Sequence, residues 1–240
     1  MNATTDLFAA LPEVMEQDAT EAMTARSRGT TSRLLALSWR HEFQAIITRP
    51  QGSLRRPLDL RDRRVGLPAF SGSRTARCAA LRGALSAVES QGLNHRHVDW
   101  VELTVGPSVE AFSAELDALR NQTVDAVYVR GAAGLAAVRA SGARIVFDIG
   151  AQRDPWLRSQ TALLTATLAH VPGTHSSASQ GSGLDEETLQ VAHDLKHFLL
   201  RWEFITDDFD LRAWAQLQPQ PPASRRSADG RVSASYNHLS

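Results

Sequence analysis

The stretch RRVGLPAFSGSRTARCAALRGAL, residues 63–85, reads as a strand, a loop of small residues and a helix that carries arginines. Val65-Gly66-Leu67 suits a short buried strand, which Pro68 closes. Ser71, Gly72, Ser73 and Thr75 follow, supplying hydroxyls and a permissive backbone where a helix should begin. A helix start presents unpaired N–H groups and the positive end of its dipole, so it favours an anion. Arg74 and Arg77 fall in the first turns, where positive charge is unfavourable unless something negative arrives. The junction therefore has two readings. It is either an oxyanion seat, or a plain N-cap at Ser73 or Thr75 with solvated arginines.

The rest of the chain extends the alternation of strand and helix. LLALSW (34–39) and FQAIIT (43–48) have strand character, RPQGSLRRP (49–57) is a turn-rich connector, and Leu58-Asp59-Leu60 begins a helical turn. VDWVEL (98–103), VDAVYVR (124–130) and ARIVFDIG (143–150) read as strands. Residues 108–120 and 132–140 read as helices between them, Gly92 and Gly142 as helix stops, and DEETLQVAHDLKHFLLRWEFI (185–205) as a long helix capped by Asp185. Residues 7–25 are predicted helical through Leu7, Phe8, Leu11, Val14 and Met15. Residues 171–183 read as a flexible loop, and the Pro/Ser/Gln-rich residues 218–240 as a disordered tail. Connections too long for hairpins predict an α/β fold with parallel sheets.

The 240 residues suffice for one large domain or two small lobes, and 26 basic residues balance 26 acidic ones. Such a balance points to no nucleic acid and no anionic membrane as a bulk partner. Lys196 is the only lysine, so the positive charge is carried by guanidinium forks suited to carboxylate, phosphate or sulfonate. The single cysteine, Cys78, excludes an intrachain disulfide and a cysteine zinc cluster; flanked by Ala76, Ala79 and Ala80, it reads as a buried thiol in preference to a nucleophile. No basic region followed by an apolar core opens the chain, and no run approaches the ~20 apolar residues of a membrane span. As written, the sequence predicts a chain that stays where it is made and does not insert into a membrane.

HDLKH (193–197) places two histidines at i, i+4, a zinc spacing, but Asp194 is a methylene shorter than the usual glutamate and no third ligand follows. These are read as surface histidines, His95 and His97 as ordinary turn residues, and no metal or cofactor is assigned. Gly131 and Gly134 follow a strand but lack the rest of a nucleotide loop. What remains is polar residues at predicted strand ends: Trp39, Arg40 and His41; Ser71, Ser73, Arg74 and Thr75; Tyr128 and Arg130. In open α/β sheets ligands settle at such ends.

Five stretches in order carry a resemblance: RPLDLRDRRVGLP (56–68), FSGSRTARCAALRGAL (70–85), GLNHRHVDWVEL (92–103), QTVDAVYVRG (122–131) and SGARIVFDIG (141–150). Over residues 30–150 the chain resembles the type II periplasmic solute-binding proteins of sulfonate, taurine and nitrate importers, whose scaffold also serves an aromatic sulfinate desulfinase. The resemblance implies a periplasmic-binding-protein-like α/β fold of two parallel-sheet lobes, one incomplete: residues 1–49 with 151–217 as a partial lobe one, and 56–148 as lobe two. It implies a chain that lacks ~60–80 residues of the family's N-terminal pattern. It implies a carrier for a small sulfonate-like organic anion, without cofactor, periplasmic, and working with the membrane component of an ABC importer. In that scheme the 63–75 junction holds the oxyanion, Arg74 or Arg130 neutralises it, and Trp39 or Tyr128 packs on the organic part. The alternatives are a desulfinase-like enzyme acting on an aromatic sulfinate, or an inactive truncated fragment. The desulfinase's cysteine has no counterpart here, and Asp6-Leu7-Phe8-Ala9-Ala10 stands near its Arg-x-Gly-Gly element.

Overall fold

Residue pairing across two sheets sets the architecture of the computed structural model, which describes residues 13–69, 72–103, 110–170 and 184–215. In chain order the elements are β1 (Glu13–Asp18), α1 (Ala19–Ser27), β2 (Ser32–Arg40), β3 (Gln44–Thr48), β4 (Arg64–Pro68), α2 (Arg74–Glu89) and β5 (Asp99–Leu103). They continue with α3 (Ser113–Arg120), β6 (Ala126–Arg130), α4 (Gly131–Ser141), β7 (Arg144–Asp148), α5 (Pro155–Thr161), β8 (Leu163–His170), α6 (Glu186–Arg201) and α7 (Leu211–Trp214). One sheet has the order β1-β8-β2, the other β5-β4-β6-β3-β7.

The α/β class holds, but the sheets are mixed where parallel ones were expected. In the five-stranded sheet β4 runs parallel to β5 and β6, while β3 runs antiparallel to both β6 and β7. The three-stranded sheet is antiparallel throughout, with β8 at its centre. β3 is reversed because the chain enters it directly from β2, through His41-Glu42-Phe43, at the end of the sheet where β6 finishes. The pairing Gln44↔Arg130 records that entry.

Three further expectations change. Residues 13–18 form an edge strand, not part of a helix, since pairing along β8 from Glu13↔His170 to Asp18↔Thr165 outweighs local propensity. Val14 and Met15 accordingly lie 56% and 43% exposed. Residues 155–161 and 163–170, for which the sequence suggested no element, form α5 and the central strand β8; Asp154 caps α5 by accepting from the Leu157 N–H at 2.8 Å. The predicted helices over 108–120 and 185–205 are shorter, Ser113–Arg120 and Glu186–Arg201. The predictions for residues 7–12, 171–183 and 218–240 lie outside the described residues.

Every residue of β3 is buried, with Ile46 in the core beneath α2 and Ala45 and Ile47 in the core beneath α3 and α4. This is the period-two alternation of a strand covered on both faces. The three-stranded sheet is packed by α1, α6 and α7. α2 approaches β6 closely because Gly83 leaves room for the Tyr128 ring; a Cβ there would lie 2.2 Å from Tyr128 Cε2. Gly83→Ala is expected to cost about 1–3 kcal/mol by overpacking. Gly29→Ala, at φ +85° with nothing within 4 Å, should cost only the left-handed backbone term of about 1 kcal/mol. Urea unfolding of the two variants gives the comparison, and a larger loss at Gly29 contradicts the packing described.

Candidate functional site

Two crossings join the sheets at one edge. The chain passes from β2 to β3 through residues 41–43, and from β7 to β8 through residues 149–162. They are held together where Ile149 N–H and Gly150 N–H, opening the second crossing, donate to Gln44 O at 2.8 and 3.1 Å, while Gly131 N–H, after β6, anchors the first crossing by donating to Phe43 O at 2.7 Å. The Gln44 side chain, 2% exposed, donates to Thr161 O at 2.8 Å and accepts from the Tyr128 hydroxyl at 2.7 Å. The carboxyl ends of β1, β2 and β6 and the first half of α2 all face this edge.

Two adjoining cavities lie there. The outer one, of about 410 Å³, lies between α1 and the start of α2 and is lined by Glu21, Arg28, Ser73, Arg74 and Thr75 among others. The inner one, of about 30 Å³, is lined by Asp18, Thr20, Cys78, Arg82 and Arg130, with Leu163, Leu164 and Leu195 as its apolar wall. Thr20 and Thr75 line both.

Of the residues singled out from the sequence, Ser73, Arg74, Thr75 and Arg130 come together here. Ser73 is the N-cap of α2, accepting from Ala76 N–H at 3.1 Å. Thr75 donates to Glu21 Oε1 at 3.1 Å, so a carboxylate of the chain itself stands at the helix start. Arg74 donates to Phe204 O at 2.7 Å, and Arg77 turns away to Pro68 O and to Glu102. Arg130 lies 3.9 Å from Glu42. Ser71 lies outside the described residues.

The others stand elsewhere. Tyr128 is a core residue, 3% exposed, its phenol pKa raised by burial. Trp39, Arg40 and His41 line neither cavity. The Trp39 ring meets His41 edge-on at 5.1 Å, and His41 Nε2 accepts from Arg158 Nε at 3.1 Å. Partial burial and then the Arg158 charge lower the His41 pKa, so that imidazole is neutral at pH 7. The His193 and His197 rings stand 6.4 Å apart, and among the described residues no group of three side chains could hold a metal.

The residue missed is Arg82. It is 5% exposed, and its Nη1 and Nη2 donate to Ala162 O and Ser159 O at 3.0 Å each, at the C-terminal end of α5. Those carbonyls are the negative end of a helix and suit a cation. The signal was available: Arg82 follows Cys78 by one helical turn, on the same alanine-rich face.

No protein-family model and no curated protein matches the sequence. Solved structures do. The desulfurization enzyme DSZB is similar with a TM-score of 0.56 and 17% identity, over 90% of this chain and 86% of that one. A DSZB mutant in complex with biphenyl-2-sulfinic acid gives 0.58 and 15%, over 88% and 84%. The periplasmic aliphatic sulphonate binding protein SsuA from Escherichia coli gives 0.50 and 14%, over 82% of this chain and 62% of that one. The fold is periplasmic-binding-protein-like. At these identities the likeness concerns architecture, so the chemistry of the cleft rests on the side chains of this chain.

Burial pushes the Cys78 thiol up to about 12, against a downward pull from Arg82 and a hydrogen bond with Thr20. The folded chain therefore keeps the proton that the unfolded chain gives up as pH rises through its ordinary value of 9.0. Fewer protons are then bound in the unfolded state, so stability falls with rising pH. Urea midpoints between about pH 8 and about pH 10 should drop more steeply for the wild type than for Cys78→Ala. Iodoacetamide should label Cys78 only after unfolding; rapid native labelling contradicts this environment.

Proposed function

We propose that the chain binds a small organic anion, sulfonate-like in its head group, in the cleft between the two sheets, as the solute-binding component of an ABC importer. One observation carries this reading. Although the chain has as many basic as acidic residues, the two adjoining cavities are lined by four guanidiniums (Arg28, Arg74, Arg82 and Arg130) against two carboxylates, Asp18 and Glu21. The formal excess is two positive charges, between low-dielectric walls that strengthen the field.

In this reading one lobe consists of β1, β2 and β8 with α1, α5, α6 and α7, and the other of β3–β7 with α2, α3 and α4. The boundary then falls at residues 41–43, before β3. Closure follows from rotation about the two hydrogen-bonded crossings. Arg74 and Arg130 approach the bound charge, Thr75 exchanges its internal carboxylate for the ligand, and the organic part occupies the outer cavity. Binding involves no bond breaking and calls for no cofactor. Among the described residues no helix is long and apolar enough to cross a membrane, so contact with the importer's membrane component is made through a surface.

A desulfinase-like reaction is the second reading, favoured by the fuller mutual coverage with DSZB. It needs a nucleophile, and the one cysteine is buried with its proton retained.

Calorimetric titration of the full chain with methanesulfonate, benzenesulfinate and benzoate tests the carrier reading. Arg130→Gln should weaken the anion that binds by about tenfold, the worth of one charge-assisted contact. Glu21→Gln should tighten it severalfold by removing the resident carboxylate. Affinity indifferent to both changes, or turnover of the sulfinate, contradicts the proposal.

A further inference from the structure

The inner cavity has properties that the outer one lacks. Its roughly 30 Å³ is about the volume share of a single water molecule or a comparable ion. Arg82 in its wall is almost wholly buried, with both terminal nitrogens used and its Nε without a partner among the described residues. An unmade N–H bond on a buried cation is costlier than one on a neutral group. Thr20 beside it is 7% exposed and lines the cavity together with Cys78. Asp18, the one carboxylate of the wall, is already engaged as the N-cap of α1, accepting from Thr20 N–H at 2.7 Å. Against it stand Arg82 and Arg130, so the wall carries a formal charge of plus one. Glu42, near Arg130, does not line the cavity.

We propose that this cavity is a binding site for one small monovalent anion, which accepts from Arg82 Nε and from the Thr20 hydroxyl. An anion there completes the donor set of Arg82 and balances the charge of the wall, whereas a water molecule does only the first. Leu163, Leu164 and Leu195 close the remaining side and favour a weakly hydrated ion. The size admits a single halide ion, or the charged tip of a larger ligand that enters past Thr20 and Thr75 from the outer cavity. Both sources present the same chemistry to Arg82. The site goes beyond the carrier reading and does not depend on it.

Crystals of the full chain grown in sodium bromide, with data collected at the bromine absorption edge, test the proposal. The expected result is an anomalous peak within hydrogen-bond distance of Arg82 Nε, lost in Arg82→Met. Because that variant leaves the α5 carbonyls unpaired and can fail to fold, Thr20→Val serves as a second probe. It retains the cation and should weaken bromide, titrated by thermal unfolding, by about tenfold. A peak that survives excess methanesulfonate identifies a free-halide site, and one that disappears identifies the seat of the organic head group; either supports the proposal. A cavity that holds only water, or a bromide whose affinity ignores Thr20→Val, overturns it. Binding of methanesulfonate that leaves the cavity in its water-filled state would preserve the carrier reading while refuting this site.

Discussion

The guanidinium of Arg82 is the interaction on which the two sheets depend. It projects from the middle of α2, a helix of the five-stranded sheet, and takes up two carbonyls at the end of α5, where the chain returns to the three-stranded sheet. Gln44 supplies the next carbonyl partner, at Thr161, and holds the Tyr128 hydroxyl with its other end. Between them these two side chains donate to three carbonyls at the C-terminal end of α5, those of Ser159, Thr161 and Ala162, where a helix leaves carbonyls short of intrahelical partners. Desolvating a guanidinium costs several kcal/mol and is tolerated only where dipoles or charges replace the lost water. The negative end of α5 provides those dipoles, and no carboxylate makes an ion pair with Arg82 among the described residues.

That choice of partner shapes the chemistry of the cleft. Had Arg82 been matched by a buried aspartate, the seam would be neutral and closed to anions. Matched by carbonyls alone, it keeps its positive charge and, among the described residues, leaves Nε unused. Arg130 and Arg74 reach the same edge from β6 and from the start of α2. Glu21 sits at the α2 N-terminus and occupies the helix start in the meantime. In the carrier reading, that internal carboxylate holds the donors in position until a ligand anion displaces it.

The strand–loop–helix junction at 63–85 was legible because its signals are local: a short apolar run, a proline, a capping serine and an alanine-rich helix. The structure keeps Ser73 as the N-cap and Arg64–Pro68 as the strand. The reversal of β3 was not legible, since FQAIIT reads the same in either direction and only its pairing with Tyr128 and Phe147 settles the sense. β1 was hidden for a related reason. EVMEQD has no strand alternation of its own and is extended because β8 offers it an unsatisfied edge. For the site, proximity to strand ends singled out Ser73, Arg74, Thr75 and Arg130, and these four line the two adjoining cavities. Tyr128, singled out by the same signal, has its ring in the core against Gly83. Arg82 was passed over because it lies about two helical turns beyond Thr75, away from the strand end, although an arginine within an apolar helical face is itself a sign of a buried charge.

The most direct measurement is thermal unfolding of the full chain against a panel of sulfonates, sulfinates and aromatic carboxylates, with neutral amides and esters of the same shapes as controls. A positively charged cleft predicts one cooperative transition that is raised by at least one anion and by none of the neutral analogues. A transition moved by no anion, or moved equally by the neutral analogues, would contradict an anion-binding cleft between the sheets.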